Sequence, residues 1–311
     1  MHKYPTTAPT FVISVYSSEK LDGLCAAAII FRHATLAKLP AHFAGFLHPE
    51  SLTSELQELA SEKNKLLFLL DCSFAPEHLA LIDLAAKTNK IVYTNTTDLS
   101  SVKIPAKFSD QHDKKSSAEQ AQERFLPHDS AAKQLARLAH EHKFWKINDD
   151  RTTKLADLLL SGYSTLELIE TLSKGMFWNE RFESAHQQFT QKKNAALDEL
   201  LKTITIKTYL THRIGFCLAN NLISPPEACD KMLSSHAGID IACCLFRDGR
   251  LAFRRRDSGT LDLKAVAEIF GGGGQPYASG AKLIHPISKE NFTETLFKID
   301  TALKAHFVGN A

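Results

Sequence analysis

Net charge is in short supply: 37 Lys and Arg against 35 Asp and Glu leave +2 over 311 residues. That balance gives no global electrostatic case for a polyanion partner, so any nucleic-acid site has to be a local patch. Cysteine is also sparse. Its six residues, Cys25, Cys72, Cys217, Cys229, Cys243 and Cys244, form no C-x-x-C pair, which excludes a zinc ribbon and a disulfide framework and predicts reduced thiols in a cytoplasmic protein. No apolar run approaches the roughly 20 residues that span a bilayer. Met1 to Thr10 lacks a charged n-region and a long apolar h-region, so neither a membrane span nor a cleaved signal is expected. Missing too are the G-x-S-x-G elbow, the G-x-x-x-x-G-K-[ST] phosphate loop and the H-E-x-x-H metal helix, each the signature of a large hydrolase or nucleotidase class.

What remains is a globular chain, 44% hydrophobic and 23% charged, long enough for two domains. From Phe11 to Thr94 short apolar runs alternate with amphipathic segments: Phe11 to Tyr16, His42 to Leu47, Leu66 to Leu70 and Ile91 to Thr94 as strands, with helices between. Runs apolar on both faces and spaced by helices predict a mostly parallel sheet. From about Lys115 to Thr203 the apolar period is helical, predicting a helical layer. Asn179 to Lys202 is polar on most faces, as a helix joining two domains would be. Further on, Ser224-Pro225-Pro226-Glu227 has the form of a capping box. Arg247-Asp248-Gly249-Arg250 marks a hairpin. The fold class is therefore α/β: an N-terminal mostly parallel sheet domain with a helical layer over 1–177, a connecting helix over 178–203, and a smaller C-terminal α/β domain over 204–311.

The most informative stretch runs from Phe270 through Gly271, Gly272, Gly273, Gly274 and Gln275 to Gly280. Four consecutive glycines cost conformational entropy and contribute nothing to a core, so something is expected to approach the bare backbone there. Backbone N–H groups at such a turn form an anion-binding nest. The local basic patch is Arg254-Arg255-Arg256. Guanidinium forks match phosphate bidentately, and strand alternation puts Arg254 and Arg256 on one face and Arg255 on the other. Sequence alone leaves Arg254 and Arg255 both open as the phosphate contact.

An arginine-bearing strand (Leu251 to Arg256), a short helix (Leu261 to Phe270) and a glycine turn followed by a small-residue strand resemble the C-terminal substrate domain of the DHH phosphoesterase superfamily, the RecJ-like and oligoribonuclease-like enzymes. The resemblance implies that Arg254 or Arg255, with Gly271 to Gly274, grips the phosphate end of a short nucleic acid or nucleotide. The superfamily's loop histidine is Gln275 here, which can donate to phosphate but carry no proton. The resemblance further implies a two-metal centre of manganese or magnesium, and here the chain departs from the pattern. Asp22, before Gly23, and Asp71, after Leu66 to Leu70, match. Ser18 and Lys20 stand where a histidine and an aspartate belong, Asn95-Thr96-Thr97 replaces the Asp-His-His triplet, and Ala139 to Trp145 offers no aspartate. Two hard cations need more carboxylates than Asp22 and Asp71 supply, and a lysine among ligands adds charge of the wrong sign. Asp22 also has the simpler role of capping the helix that begins at Gly23.

The sequence thus predicts a phosphoesterase-like protein that binds short single-stranded nucleic acid or nucleotide phosphate ends, with a degenerate metal centre. Two alternatives stand beside it. One is an active manganese- or magnesium-dependent phosphoesterase with ligands relocated to Asp110-Gln111-His112-Asp113 or to His140 and His142. The other is an interaction scaffold whose ligand is a protein partner.

Overall fold

A strand that is apolar at nearly every position has no face to give to water, so it has to lie in a sheet covered on both sides. β3 (Lys65–Leu70), reading Lys-Leu-Leu-Phe-Leu-Leu, is such a strand. In the computed structural model, which describes residues 12–48, 51–96, 108–111 and 114–309, it lies at the centre of a five-stranded sheet ordered β2-β1-β3-β4-β5. Its companions are β1 (Val12–Ser17), β2 (Ala41–Phe46), β4 (Lys90–Asn95) and β5 (Phe108–Gln111), all paired in parallel. Alternate residues of β3 serve opposite faces. Phe68 and Leu70 pack with α1 (Leu21–Leu36), α4 (Ser117–Phe125), α5 (Ser130–Lys143), α6 (Asp150–Leu160) and α7 (Thr165–Ser173). Leu67 and Leu69 pack with α2 (Leu52–Ser61) and α3 (Leu79–Thr88), which follows a single 3-10 turn, Pro76–His78.

α1 is the spine of this unit. Every residue from Leu21 to Ile30 is buried, as expected of a helix that packs against the sheet on one side and α4, α5 and α7 on the others. Its last charged residue, Arg32, ties that packing together. Nε and Nη2 donate to the two Asp129 carboxylate oxygens at 2.7 and 2.8 Å, and Nη1 donates to the Ser173 carbonyl at 3.0 Å. Asp129 is also the N-cap of α5, accepting from the Ala132 N–H.

The chain divides into two compact units, Met1–His186 and Gln187–Ala311, with α8 (Glu180–Lys202) spanning the division. The second unit is a mixed six-stranded sheet ordered β10-β11-β9-β8-β7-β6, made of β6 (Thr205–Tyr209), β7 (His212–Ala219), β8 (Ile241–Phe246), β9 (Arg250–Arg255), β10 (Gly273–Gln275) and β11 (Ala278–Lys282). β7 and β8 are parallel, joined through α9 (Pro225–Ser235), and the other pairs are antiparallel. One face packs against α10 (Leu263–Glu268) and α11 (Phe292–Gly309), and the other against α9 together with Ala196 and Leu200 of α8.

The strands and helices expected before residue 100 and between 115 and 203 are present. The expectation missed β5, β6, β7, β10 and α11. The capping box at Ser224 is not formed: its side chain makes no cap bond, and Glu227 instead pairs with Lys193 at 3.0 Å. The hairpin turn forms as expected, with Gly249 at φ 89°. All six thiols are buried, Cys25 and Cys72 in the first unit and the rest in the second. Among the described residues no helix is long and apolar enough to cross a membrane.

Asp129→Ala removes both a helix cap and one side of a forked ion pair, and urea denaturation should show the first unit destabilised by about 2–4 kcal/mol. Asp129→Asn keeps the cap acceptor and should cost about half as much.

Candidate functional site

Strand ends on a parallel sheet converge, and here they bring two carboxylates to one point. Asp71 follows β3 in the left-handed region, at φ 54°, a conformation that a short polar side chain tolerates. Its N–H donates to the Thr94 carbonyl at the end of β4. Asp22 sits in the first turn of α1, drawn close because Gly23 lets that turn press on Ser18, where any β-carbon would collide with the Ser18 backbone. Both aspartates are buried, Asp22 at 1% and Asp71 at 5% exposure.

Each carboxylate oxygen has a partner from the chain. Asp22 Oδ1 accepts from the Ala118 N–H at 2.9 Å and Oδ2 from the Ser117 N–H at 3.0 Å. Asp71 Oδ2 accepts from Ser18 Oγ at 2.5 Å, and Oδ1 from the ammonium of Lys143 at 2.6 Å. The same ammonium lies 3.4 Å from Asp22 Oδ2. Burial, then the neighbouring Asp71, push the Asp22 carboxyl above its ordinary range, against the pull of Lys143 and the two N–H groups. Burial pulls Lys143 down, but Asp71 and Asp22 more than offset it and hold the ammonium above its ordinary range. Asp22 does cap a helix, though not its own: α1 begins at Leu21 with no side-chain cap, and Asp22 closes the N-terminus of α4.

These residues do not fit a divalent metal. The carboxylate oxygens are engaged, and an ammonium stands between the two acids. Among the described residues no group of three His, Cys, Asp or Glu is placed to hold an ion. His140 Nδ1 lies 2.8 Å from Glu119 Oε2, while His142, two residues on and turned to another face of α5, is held neutral by burial and by Lys143 and Lys20, down to about 4. Asp110 and Gln111 belong to β5, whereas Thr97, His112 and Asp113 lie outside the described residues. Asn95 bonds to Ser73 and Tyr93, and Thr96 to the Lys115 carbonyl. Lys143 is the residue that sequence reasoning passed over: a lysine ending a helix reads as solvated, and only the α5–α6 turn reveals its direction. Buried Glu141 fixes that turn by accepting from the N–H groups of Asn148 and Asp149 and the Thr152 hydroxyl.

In the second unit the expected phosphate-binding residues separate into different roles. Arg254 lines a cleft of about 280 Å³ with Pro225, Pro226 and Cys229 of α9, Gly273 and Gly274 of β10, and Ser279 of β11. Arg255 turns to the backbone, donating to the carbonyls of Gly259, Pro276 and Arg256. Arg256 is a strut, with Nε on the Ile239 carbonyl and Nη2 on those of Leu233 and His236. The glycines divide likewise. Gly271 (φ 70°) turns the chain out of α10, Gly272 lies so close to β11 that a β-carbon would strike the Gly280 carbonyl, and Gly274 (φ 139°) is pressed against Ser279. What approaches those backbones is the chain's own hairpin. Gly273 alone of the four has an ordinary φ and open space beside it, and Gln275 is exposed beyond the cleft.

Two predictions follow from these placements. Gly272→Ala should destabilise the second unit by about 1–3 kcal/mol through overpacking, whereas Gly273→Ala should leave its denaturation midpoint nearly unchanged. For Asp22, the folded carboxyl titrates above its ordinary value, so the native state binds the extra proton between the two. Its contribution to stability is complete below the ordinary carboxylate range and is lost as pH rises through the raised folded value. The first unit should therefore melt at a higher temperature at pH 6 than at pH 8, and Asp22→Asn should flatten that difference.

No family model matches the chain, and no curated protein matches it in sequence. Solved structures match its fold. Exonuclease RecJ bound to manganese aligns with a TM-score of 0.61 at 12% identity, over 96% of this chain and 90% of that one. An exopolyphosphatase-related protein from Bacteroides fragilis gives 0.57 at 13%, over 96% and 93%. The pGpG-specific phosphodiesterase PggH from Vibrio cholerae gives 0.53 at 10%, over 94% and 99%. The likeness is one of fold along nearly the whole chain, and it includes the fold of RecJ, the enzyme type that the motifs were read as resembling.

Proposed function

We propose that the protein binds the phosphate end of a short single-stranded nucleic acid or a nucleotide in the Arg254 cleft and does not cleave it at an appreciable rate. The observation that carries this reading is that Arg254 lines, with Gly273 and the open space beside its α-carbon, a cleft otherwise walled by small and apolar residues. A guanidinium fork can meet a phosphate with paired charge-assisted bonds, and a glycine wall lets the phosphate come close. α9 adds little, since Pro225 and Pro226 at its start remove two N–H donors. The names of two fold neighbours, an exonuclease and a pGpG-specific phosphodiesterase, point to the same ligand class. The expected lack of turnover is supported by Lys143, whose ammonium lies 2.6 Å from Asp71 and 3.4 Å from Asp22 and adds positive charge where carboxylates would have to hold a metal.

The test is fluorescence anisotropy with 5′-phosphorylated trinucleotides and pGpG, in parallel with product release from labelled RNA and DNA in manganese. Binding should weaken with salt and fall about 10-fold or more in Arg254→Ala, the loss of one charged hydrogen-bonding partner. Binding indifferent to Arg254 would sink the proposed site. Turnover that disappears in the Asp22→Ala, Asp71→Ala double variant would show that the protein is an enzyme instead.

A further inference from the structure

Two buried carboxylates facing each other need a counter-cation. This chain carries its own. Lys143 ends α5 and reaches inward, so that its ammonium lies 2.6 Å from Asp71 and 3.4 Å from Asp22, with only 22% of its side chain exposed against 2% for each acid. Its direction is built in. The chain turns back after α5 with Trp145 at φ 53°, and the Lys146 N–H returns to the Glu141 carbonyl. The remaining charge is met by fixed dipoles: the first N–H groups of α4 on Asp22, where the helix macrodipole is positive, and the Ser18 hydroxyl on Asp71.

We infer that Lys143 is a resident substitute for the metal: its ammonium fills the cation position between Asp22 and Asp71, makes the first unit independent of divalent ions, and excludes them from this point. The corollary is that a cation position persists beneath the lysine. Shortening the side chain removes the positive charge, opens the space it filled and frees Asp71 Oδ1; the other three oxygens keep their present donors, and each retains a second lone pair for a cation that takes carboxylate oxygens, as manganese does. The inference rests on the reading above that the acidic pair no longer holds the superfamily's metals. Its readout lies in the first unit alone, so failure of oligonucleotide binding at Arg254 leaves it untouched and its own failure leaves that binding untouched.

The experiment is manganese titration followed by electron paramagnetic resonance, in which bound ion loses the free-ion signal, together with thermal melts in EDTA and in manganese. Wild type should remove no manganese that Asp71→Asn does not also remove, and should melt at the same temperature in both media. Lys143→Ala should melt below wild type in EDTA, take up about one manganese per chain and recover part of its melting temperature. The added Asp71→Asn change should abolish both effects. Manganese uptake by wild type that Asp71→Asn eliminates would overturn the inference, and this arm decides even if Lys143→Ala fails to fold. A folded Lys143→Ala protein that binds no manganese would overturn it as well.

Discussion

The ion cluster of Asp22, Asp71 and Lys143 governs the first unit because it is the point at which β3, α1, α4 and α5 all meet. A buried pair of like charges is costly unless the geometry supplies both a counter-charge and a partner for every lone pair, and this chain supplies each from a different element. Lys143 comes from the end of α5, Ser18 from the end of β1, and two backbone N–H groups from the start of α4. Removal of Lys143 leaves uncompensated charge in the interior, and removal of any other leaves a buried carboxylate lone pair without a donor. The elements are thereby held in register by electrostatics as well as by the apolar packing around α1.

The second unit reaches its site by a different route. There the glycines are spent chiefly on the fold: Gly271, Gly272 and Gly274 let α10, β10 and β11 approach one another closely. The arginines are partly spent on it as well, since Arg255 and Arg256 hold backbone carbonyls of neighbouring loops. The cleft is what those commitments leave, with Arg254 and Gly273 on its wall. A motif that reads as one block is in this structure mostly scaffolding, with Arg254 and Gly273 left on the wall of a cleft.

Strands and helices of the first unit were legible because β3 is apolar at both parities and α1 carries an unbroken buried run, patterns that local sequence displays directly. β6 escaped because Thr205 to Tyr209 is polar and largely exposed at the sheet edge, and β10 because a strand of two glycines and a glutamine has no side-chain pattern; β7 was overlooked although its apolar run from Ile214 to Ala219 stands in the sequence. Asp22 and Asp71 were legible from their positions at the ends of apolar runs. Their partners were not, because Lys143 lies 72 residues from Asp71 and Ser117 lies 95 from Asp22, and no local period encodes a distance of that kind. The division of labour among Arg254, Arg255 and Arg256 was hidden for the same reason, since carbonyl partners across a turn leave no mark in sequence.

The distribution of the thiols makes the chain a recorder of its own opening. Cys25 and Cys72 are enclosed in the first unit and Cys217, Cys229, Cys243 and Cys244 in the second, and burial, preceded at Cys229 by its contact with Cys244, holds all six thiols above their ordinary range. A thiol in that state does not attack an alkylating reagent, so modification waits on exposure. Which cysteines acquire a label, and in what order, therefore reports which unit has opened, without any introduced probe.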